Sequence, residues 1–295
     1  MKTIEEFYGP DLMQRMQLPL PDGYVSYRSC KEYFLREAGA MANLHPTGTD
    51  ACPGARWHHG PFHFEKYVTD AQPQHDPAGP FRLCIWQPMT RLDKPEGWHR
   101  ATQGMGLRMT GFAKVETADS GEWSSHARRH LAHFRKLAAA GEREIVTVGI
   151  DEYLAAYARA DQDRTMKQFF PGILRDKLRA HGPLFHLIVS RRKNGPIDAG
   201  FAYLHIPEAR QSTHVSAFMS GEGKKDSAST GLIAQWFEDC RRENIPYLDF
   251  GFFWAPGDPP DWRGFSRFKS QFAMRLIRYP KPLMRWFGRP FWKKA

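Results

Sequence analysis

The sequence predicts an α/β (α+β) fold: a mixed central sheet flanked by helices, with a smaller irregular lobe ahead of it. Three observations predict it. A hairpin is written at 184–191 and 197–206, joined by Lys193-Asn194-Gly195, which is turn chemistry. A strand, helix and strand follow in order at 213–250. The first is antiparallel and the second demands a parallel crossover, so the sheet is mixed. Finally, 41% hydrophobic and 14% aromatic residues in a 295-residue chain supply a core for one large or two modest domains.

Taken in order, residues 1–120 are rich in Pro, Gly and His, with loop-like stretches at 45–55 and 70–80. Partial alternation marks strand candidates at 56–68, 81–89 and 106–115, giving a small β-rich or α/β lobe. From Trp123 the signals sharpen. Ser124 or Ser125 N-caps a helix through Ala140, with Leu131, Phe134 and Leu137 at helical spacing and Gly141 as its stop. A short strand is expected at 144–148. Asp151 then N-caps a helix over 152–161, and a further helix covers 166–181 with Pro171 as a boundary or kink. After the hairpin come a strand at 213–219 and a helix at 227–244 carrying Leu232, Ile233, Trp236, Phe237 and Cys240 on one face. A buried strand at 246–250 completes the run.

The net charge is +10, and ten Lys or Arg with no acid lie between Arg263 and Ala295. Such a block suits an anionic partner, whether RNA, a phosphate-bearing precursor or a lipid headgroup surface; a solvated basic face is the plain alternative. The end of the chain interleaves Trp286, Phe287, Phe291 and Trp292 with Arg285, Arg289, Lys293 and Lys294, and Pro280, Pro282 and Pro290 exclude one long helix. This composition fits peripheral contact with a membrane, an RNA acceptor stem, or a tail packed across the domain. No run of 18 apolar residues and no secretory h-region are present, so a cytoplasmic chain is expected, with the inner face of the membrane as a further location. Cys30, Cys52, Cys84 and Cys240 are widely spaced and expected reduced.

Several chemistries are disfavoured. No G-x-S-x-G elbow and no Walker loop occur. His126, His130 and His133 share a helical face, and His58-His59 lie near His63, but neither group has a further ligand at suitable spacing, so no metal is expected. Gln103-Gly104-Met105-Gly106 precedes a strand-like stretch and reads as a turn.

The sharpest signal is Tyr247-Leu248-Asp249-Phe250-Gly251, then Gly264-Phe265, Phe268-Lys269 and Phe272. It resembles the C-terminal signature of FemABX peptidyltransferases, in which a DFGG strand end precedes G-hydrophobic-x-x-F-K-x-x-F. Ser229-Thr230-Gly231-Leu232 is similar to that family's small-residue helix start, and the element order is similar to the second half of the acyl-CoA N-acyltransferase (GNAT) fold. Phe252 stands where the second Gly would be, and the Q/R-x-x-G-x-G/A signature of coenzyme A binding is missing.

The resemblance implies a GNAT-like catalytic domain at 121–280, an N-terminal lobe at 1–120 that is a degenerate GNAT-like half, and a basic aromatic tail at 281–295. It implies transfer of an aminoacyl or acyl group to an amine, with aminoacyl-tRNA as donor and a cell-wall (peptidoglycan) precursor as acceptor. An acyl-CoA-dependent N-acyltransferase on a small molecule is the first alternative. A catalytically silent GNAT-fold protein that binds RNA or anionic membrane is the second. By this resemblance Lys269 stabilises the oxyanion and Phe268 positions it; Asp249, at the carboxyl end of the last strand, where α/β sheets place sites, orients the amine or Lys269, or else caps the loop. Gly251 permits close backbone approach. Phe253 and Trp254 line an acceptor or form a satellite core. Tyr203 and His205, on the same strand face as Phe201, are substrate-contact candidates, and Arg128 and Arg129 are candidate ligands for an anionic substrate.

Overall fold

The computed structural model describes residues 3–16, 20–22, 24, 26–30, 32–33, 36–37, 45–49, 52–59, 62–74, 81–101, 108–116, 122–160, 164–272 and 275–288. The Gln103–Gly106 turn, the expected boundary at 120/121, and Arg289, Phe291, Trp292, Lys293 and Lys294 lie outside them. The chain forms two compact units. The first comprises Met1–Thr110, Phe252–Ser266 and Leu276–Ala295; the second comprises Gly111–Gly251 and Arg267–Arg275.

The first unit is built on a six-stranded sheet of order β1-β2-β3-β4-β13-β5: β1 (His45–Thr49), β2 (Cys52–His59), β3 (Phe62–Val68), β4 (Arg82–Gln87), β13 (Leu283–Phe287) and β5 (His99–Arg100). Two expectations change here. The 45–55 stretch, rich in Pro and Gly, is not a loop: β1 takes the sheet edge, where Pro46 is tolerated. Residues 283–287 of the basic aromatic segment also join the sheet, because β13 pairs antiparallel with β4, Leu283 opposite Trp86 and Phe287 opposite Arg82. The core gathers Cys52, Tyr67, Cys84, Trp86, Trp98 and Leu283, and the Trp86 indole donates to the Thr69 carbonyl at 2.7 Å. Two short helices, α1 (Ile4–Tyr8) and α2 (Pro10–Arg15), precede the sheet.

A seven-stranded sheet has the order β12-β6-β11-β10-β9-β8-β7. Its strands are β6 (Met109–Lys114), β7 (Arg143–Thr147), β8 (Phe185–Arg192), β9 (Ile197–Ile206), β10 (Gln211–Met219), β11 (Tyr247–Phe252) and β12 (Arg275–Arg278). The β8–β9 hairpin turns through Asn194 at φ +61°, as its Asn-Gly sequence requires. β9 pairs antiparallel with β10, which pairs parallel with β11, so the sheet is mixed.

Helices cover both faces of β8–β10. On one lies α7 (Ala228–Arg242), whose Trp236 ring packs 5.2 Å from Phe201 and from Phe250. α3 (Ser125–Ala139) lies over α7, capped by Ser124, whose hydroxyl accepts from the Ala127 amide at 3.1 Å. Gly231 sits under the Phe134 ring, where any side chain would collide. On the other face α4 (Ile150–Arg159) presses Tyr153 and Tyr157 on Phe218 of β10. Gly149, not Asp151, caps α4. α5 (Arg164–His181) continues through Pro171, and the short α6 (Gly221–Lys225) leads toward α7. α8 (Trp262–Lys269) follows β11 in sequence.

Candidate functional site

The parallel pairing of β10 with β11 lasts three pairs: Gln211 with Tyr247, Ser212 with Leu248, Thr213 with Asp249. β10 then runs on to Met219, bent by a bulge between His214 and Ser216, while β11 continues past Asp249. Two strands that stop pairing while both continue leave a notch between them, at the carboxyl end of a parallel pair, where α/β sheets place ligands.

The motif residues converge on this notch. Asp249 is wholly buried, and its Oδ1 accepts from the Gly251 amide at 2.6 Å. Gly251 adopts φ +72°, a left-handed conformation that turns the chain out of the strand. The Lys269 Nζ donates to the Phe250 carbonyl at 2.7 Å. Phe272 stacks on Phe250 with ring centres 6.2 Å apart, and Phe268 meets Phe272 edge-on at 5.2 Å. The Phe-Lys-x-x-Phe spacing therefore anchors its last ring on the side chain of the residue whose carbonyl the lysine holds. A Cβ at Gly251 would sit 4.0 Å from Lys269 Nζ and 3.9 Å from the His214 carbonyl, so both groups face the side of the glycine that carries no side chain.

His214 was not legible as a site residue. Nothing in its sequence context marks it; the bulge brings it beside the notch. Its ring lies 4.9 Å from Phe201. Burial, and then the positive charge of Lys269, hold its imidazole pKa well below the usual histidine range. The notch thus gathers an ammonium, a buried carboxylate and the His214 carbonyl, with the His214 ring packed toward Phe201.

Other expected site residues stand elsewhere. Tyr203 and His205 do share a face with Phe201, but α7 covers it: the buried Tyr203 hydroxyl donates to Asp239 at 2.6 Å, and its ring lies 6.1 Å from Trp236. Burial raises the Tyr203 phenol pKa, and burial pushes the His205 imidazole down to about 3. Phe253 and Trp254 are not exposed acceptor walls but core of the first unit. Trp254 packs 4.9 Å from Phe7 and under the Arg263 guanidinium at 4.5 Å, and its carbonyl accepts from Tyr8 at 2.7 Å. Phe252 is the exposed ring of that loop. Arg128 and Arg129 are exposed on α3, with Arg129 against His126 at 3.1 Å.

A second polar cluster escaped sequence reading because its members are far apart in the chain. The buried Arg143 forks onto Asp198 at 2.9 and 2.6 Å, and bonds Asp226 at 2.8 Å and Ser190 at 3.0 Å. Arg192 bonds Asp226 at 3.0 Å. The hydrogen bond from Arg192, then that from Arg143, hold the Asp226 carboxyl below its usual range despite burial. This carboxylate stands just ahead of the α7 N-terminus.

No family model matches the chain, and no curated protein matches it by sequence. Solved structures do match its fold. FemX superimposes with a TM-score of 0.62 at 8% identity, over 87% of this chain and 95% of that one. The C-terminal domain of a putative lysylphosphatidylglycerol synthetase from Agrobacterium fabrum gives 0.52 at 12% identity, over 87% and 89%. A tandem GNAT protein from the clavulanic acid biosynthesis pathway gives 0.52 at 11% identity, over 97% of each chain. The chain has the GNAT-type fold these structures share.

Proposed function

We propose that the chain is an N-acyltransferase of the FemABX-like type, moving an aminoacyl or acyl group from an activated ester to an amine at the β10–β11 notch. The observation that carries this reading is the Lys269 ammonium held at 2.7 Å on the Phe250 carbonyl, where the parallel strands part. In such a transfer the amine lone pair attacks the donor carbonyl carbon and the carbonyl oxygen takes up negative charge. Collapse then breaks the bond to the donor's leaving oxygen or sulfur, which receives the proton lost by the amine. A fixed positive charge beside the carbonyl favours the state in which that charge exists. Asp249 acts by position, fixing Gly251 in the turn that keeps the notch open.

The lead-in to α7 favours an aminoacyl ester, as on charged tRNA, over a coenzyme A thioester. A nucleotide pyrophosphate binds on backbone amides that open a helix. In this chain α6 occupies that lead-in, a Cβ at Gly223 would meet the Asp198 carbonyl at 2.8 Å, and Asp226 fixes a negative charge ahead of α7. Arg128 and Arg129, exposed on α3, are suited to the donor's phosphates. A cytoplasmic place, an amine acceptor on a cell-wall precursor, and contact with the inner membrane face through the basic chain end complete the reading.

The test supplies the full chain with labelled aminoacyl-tRNA or labelled acyl-CoA and an amine acceptor, including a peptidoglycan precursor. Label passing from tRNA to the amine is expected. Transfer from the thioester alone would hand the assignment to the acyl-CoA alternative. Salt-sensitive tRNA binding without transfer from either donor would make the chain a silent binder.

A further inference from the structure

Among the described residues, His186 on β8, His205 on β9 and Glu243 at the end of α7 bring their ligand atoms within 4.8 Å of one another. The two imidazole rings are 4.5 Å apart, and the His205 Nε2 stands 3.7 Å from a Glu243 carboxylate oxygen. The His205 side chain is 1% exposed, yet among the described residues neither of its ring nitrogens has a hydrogen-bond partner. A buried polar group without a partner gives up its water for nothing, so this arrangement calls for a ligand.

We propose that His186, His205 and Glu243 form a binding site for a divalent transition metal of the zinc class. Two imidazoles and a carboxylate are a donor set zinc takes, with the fourth position left to water. Bonds of about 2.0–2.2 Å require the three atoms to draw closer than they stand. Glu243 is exposed and at a helix end, so its side chain has room to make that movement. His186 is half-buried and opens the site to solvent. The surroundings hold the ligands in place: Tyr203 stacks on His186 at 4.8 Å with a 9° tilt, and its hydroxyl is fixed by Asp239. The nearby positive charge, Arg242, is drawn onto Asp239 at 2.6 Å. The bound ion would tie the β8–β9 hairpin to the C-terminal end of α7. Tyr203 faces both His186 and His214 in the strand register, so the ion would also stiffen the sheet face that carries His214. The site does not depend on the transfer reading and stands or falls separately from it.

The test uses the full chain, stripped with chelator and titrated with Zn²⁺ and Co²⁺. One equivalent is expected to bind, to raise the melting temperature, and to give a cobalt spectrum without a thiolate charge-transfer band. Glu243→Gln, at an exposed position, is expected to fold as the parent does. It should weaken Zn²⁺ binding by more than the roughly 10–100-fold that loss of an outer partner costs, and abolish the thermal shift. His186→Ala should do the same. No stoichiometric ion in the parent, a thiolate band, or equal Zn²⁺ affinity in Glu243→Gln would overturn the proposal.

Discussion

Lys269 donates to the carbonyl of Phe250, nineteen residues earlier in the chain, at 2.7 Å. One residue on, Gly251 leaves the strand at φ +72° with its amide on Asp249. Left-handed backbone costs a residue with a Cβ about 1–2 kcal/mol. Among the described residues, leaving aside Gly251's own chain neighbours, no atom lies closer than 3.9 Å to the position a Cβ would take, so strain rather than collision sets the cost. Gly251→Ala should therefore lower stability by about 1–2 kcal/mol in urea denaturation and slow transfer by shifting the Lys269 acceptor.

The Arg143 cluster should be the most sensitive point of the second unit. Removing one member of a buried ion pair leaves its partners' charges uncompensated, at about 3–5 kcal/mol. Arg143 meets Asp198, Asp226 and Ser190 with no exposed side-chain surface. Arg143→Ala is expected to cost that much by denaturant unfolding. The exposed Arg175–Asp151 pair should change stability by less than about 1 kcal/mol when Arg175 is replaced.

Acid should unfold the protein partly through His214. Its native pKa is depressed by burial and by Lys269, whereas the unfolded imidazole takes a proton below about 6.5. The contribution is complete above that pH and is lost as pH falls, at no more than about 1.4 kcal/mol per unit, less because the ring is partly exposed. His214→Phe removes this slope. Chemical denaturation at pH 7.5 and 5 should show the parent losing more stability than the variant.

Packing under α3 and α7 gives a further expectation. A Cβ at Gly231 would come 2.4 Å from the Phe134 ring, and overpacking of this kind costs about 1–3 kcal/mol. Gly231→Ala should be destabilising although alanine favours helix, and Phe134→Leu should recover part of the loss in a double-mutant cycle.

What was legible in the sequence was local. Ser124 and Gly141 bound α3 because caps and left-handed stops are written in single residues. Asn194 turned the hairpin for the same reason. Asp249, Gly251 and Lys269 could be found through motif spacing, and the structure brings all three to one notch. Alternation correctly put Tyr203 and His205 on one face, but periodicity does not say whether a helix covers that face, and α7 does. β1 and β13 were hidden by Pro, Gly and charge, which edge and late-joining strands tolerate. His214 and the Arg143 cluster depend on a bulge and on contacts across 47 to 83 residues, which no local pattern encodes.

Whether the Lys269 charge serves the transfer step is decided by single-turnover acyl transfer in Lys269→Met. Methionine keeps most of the side chain's length and removes the ammonium. The variant is expected to transfer roughly 10²–10³-fold more slowly, with donor affinity changed only a few-fold and the melting temperature close to the parent's. Transfer at the parent's rate by a folded Lys269→Met protein would contradict that role for the charge.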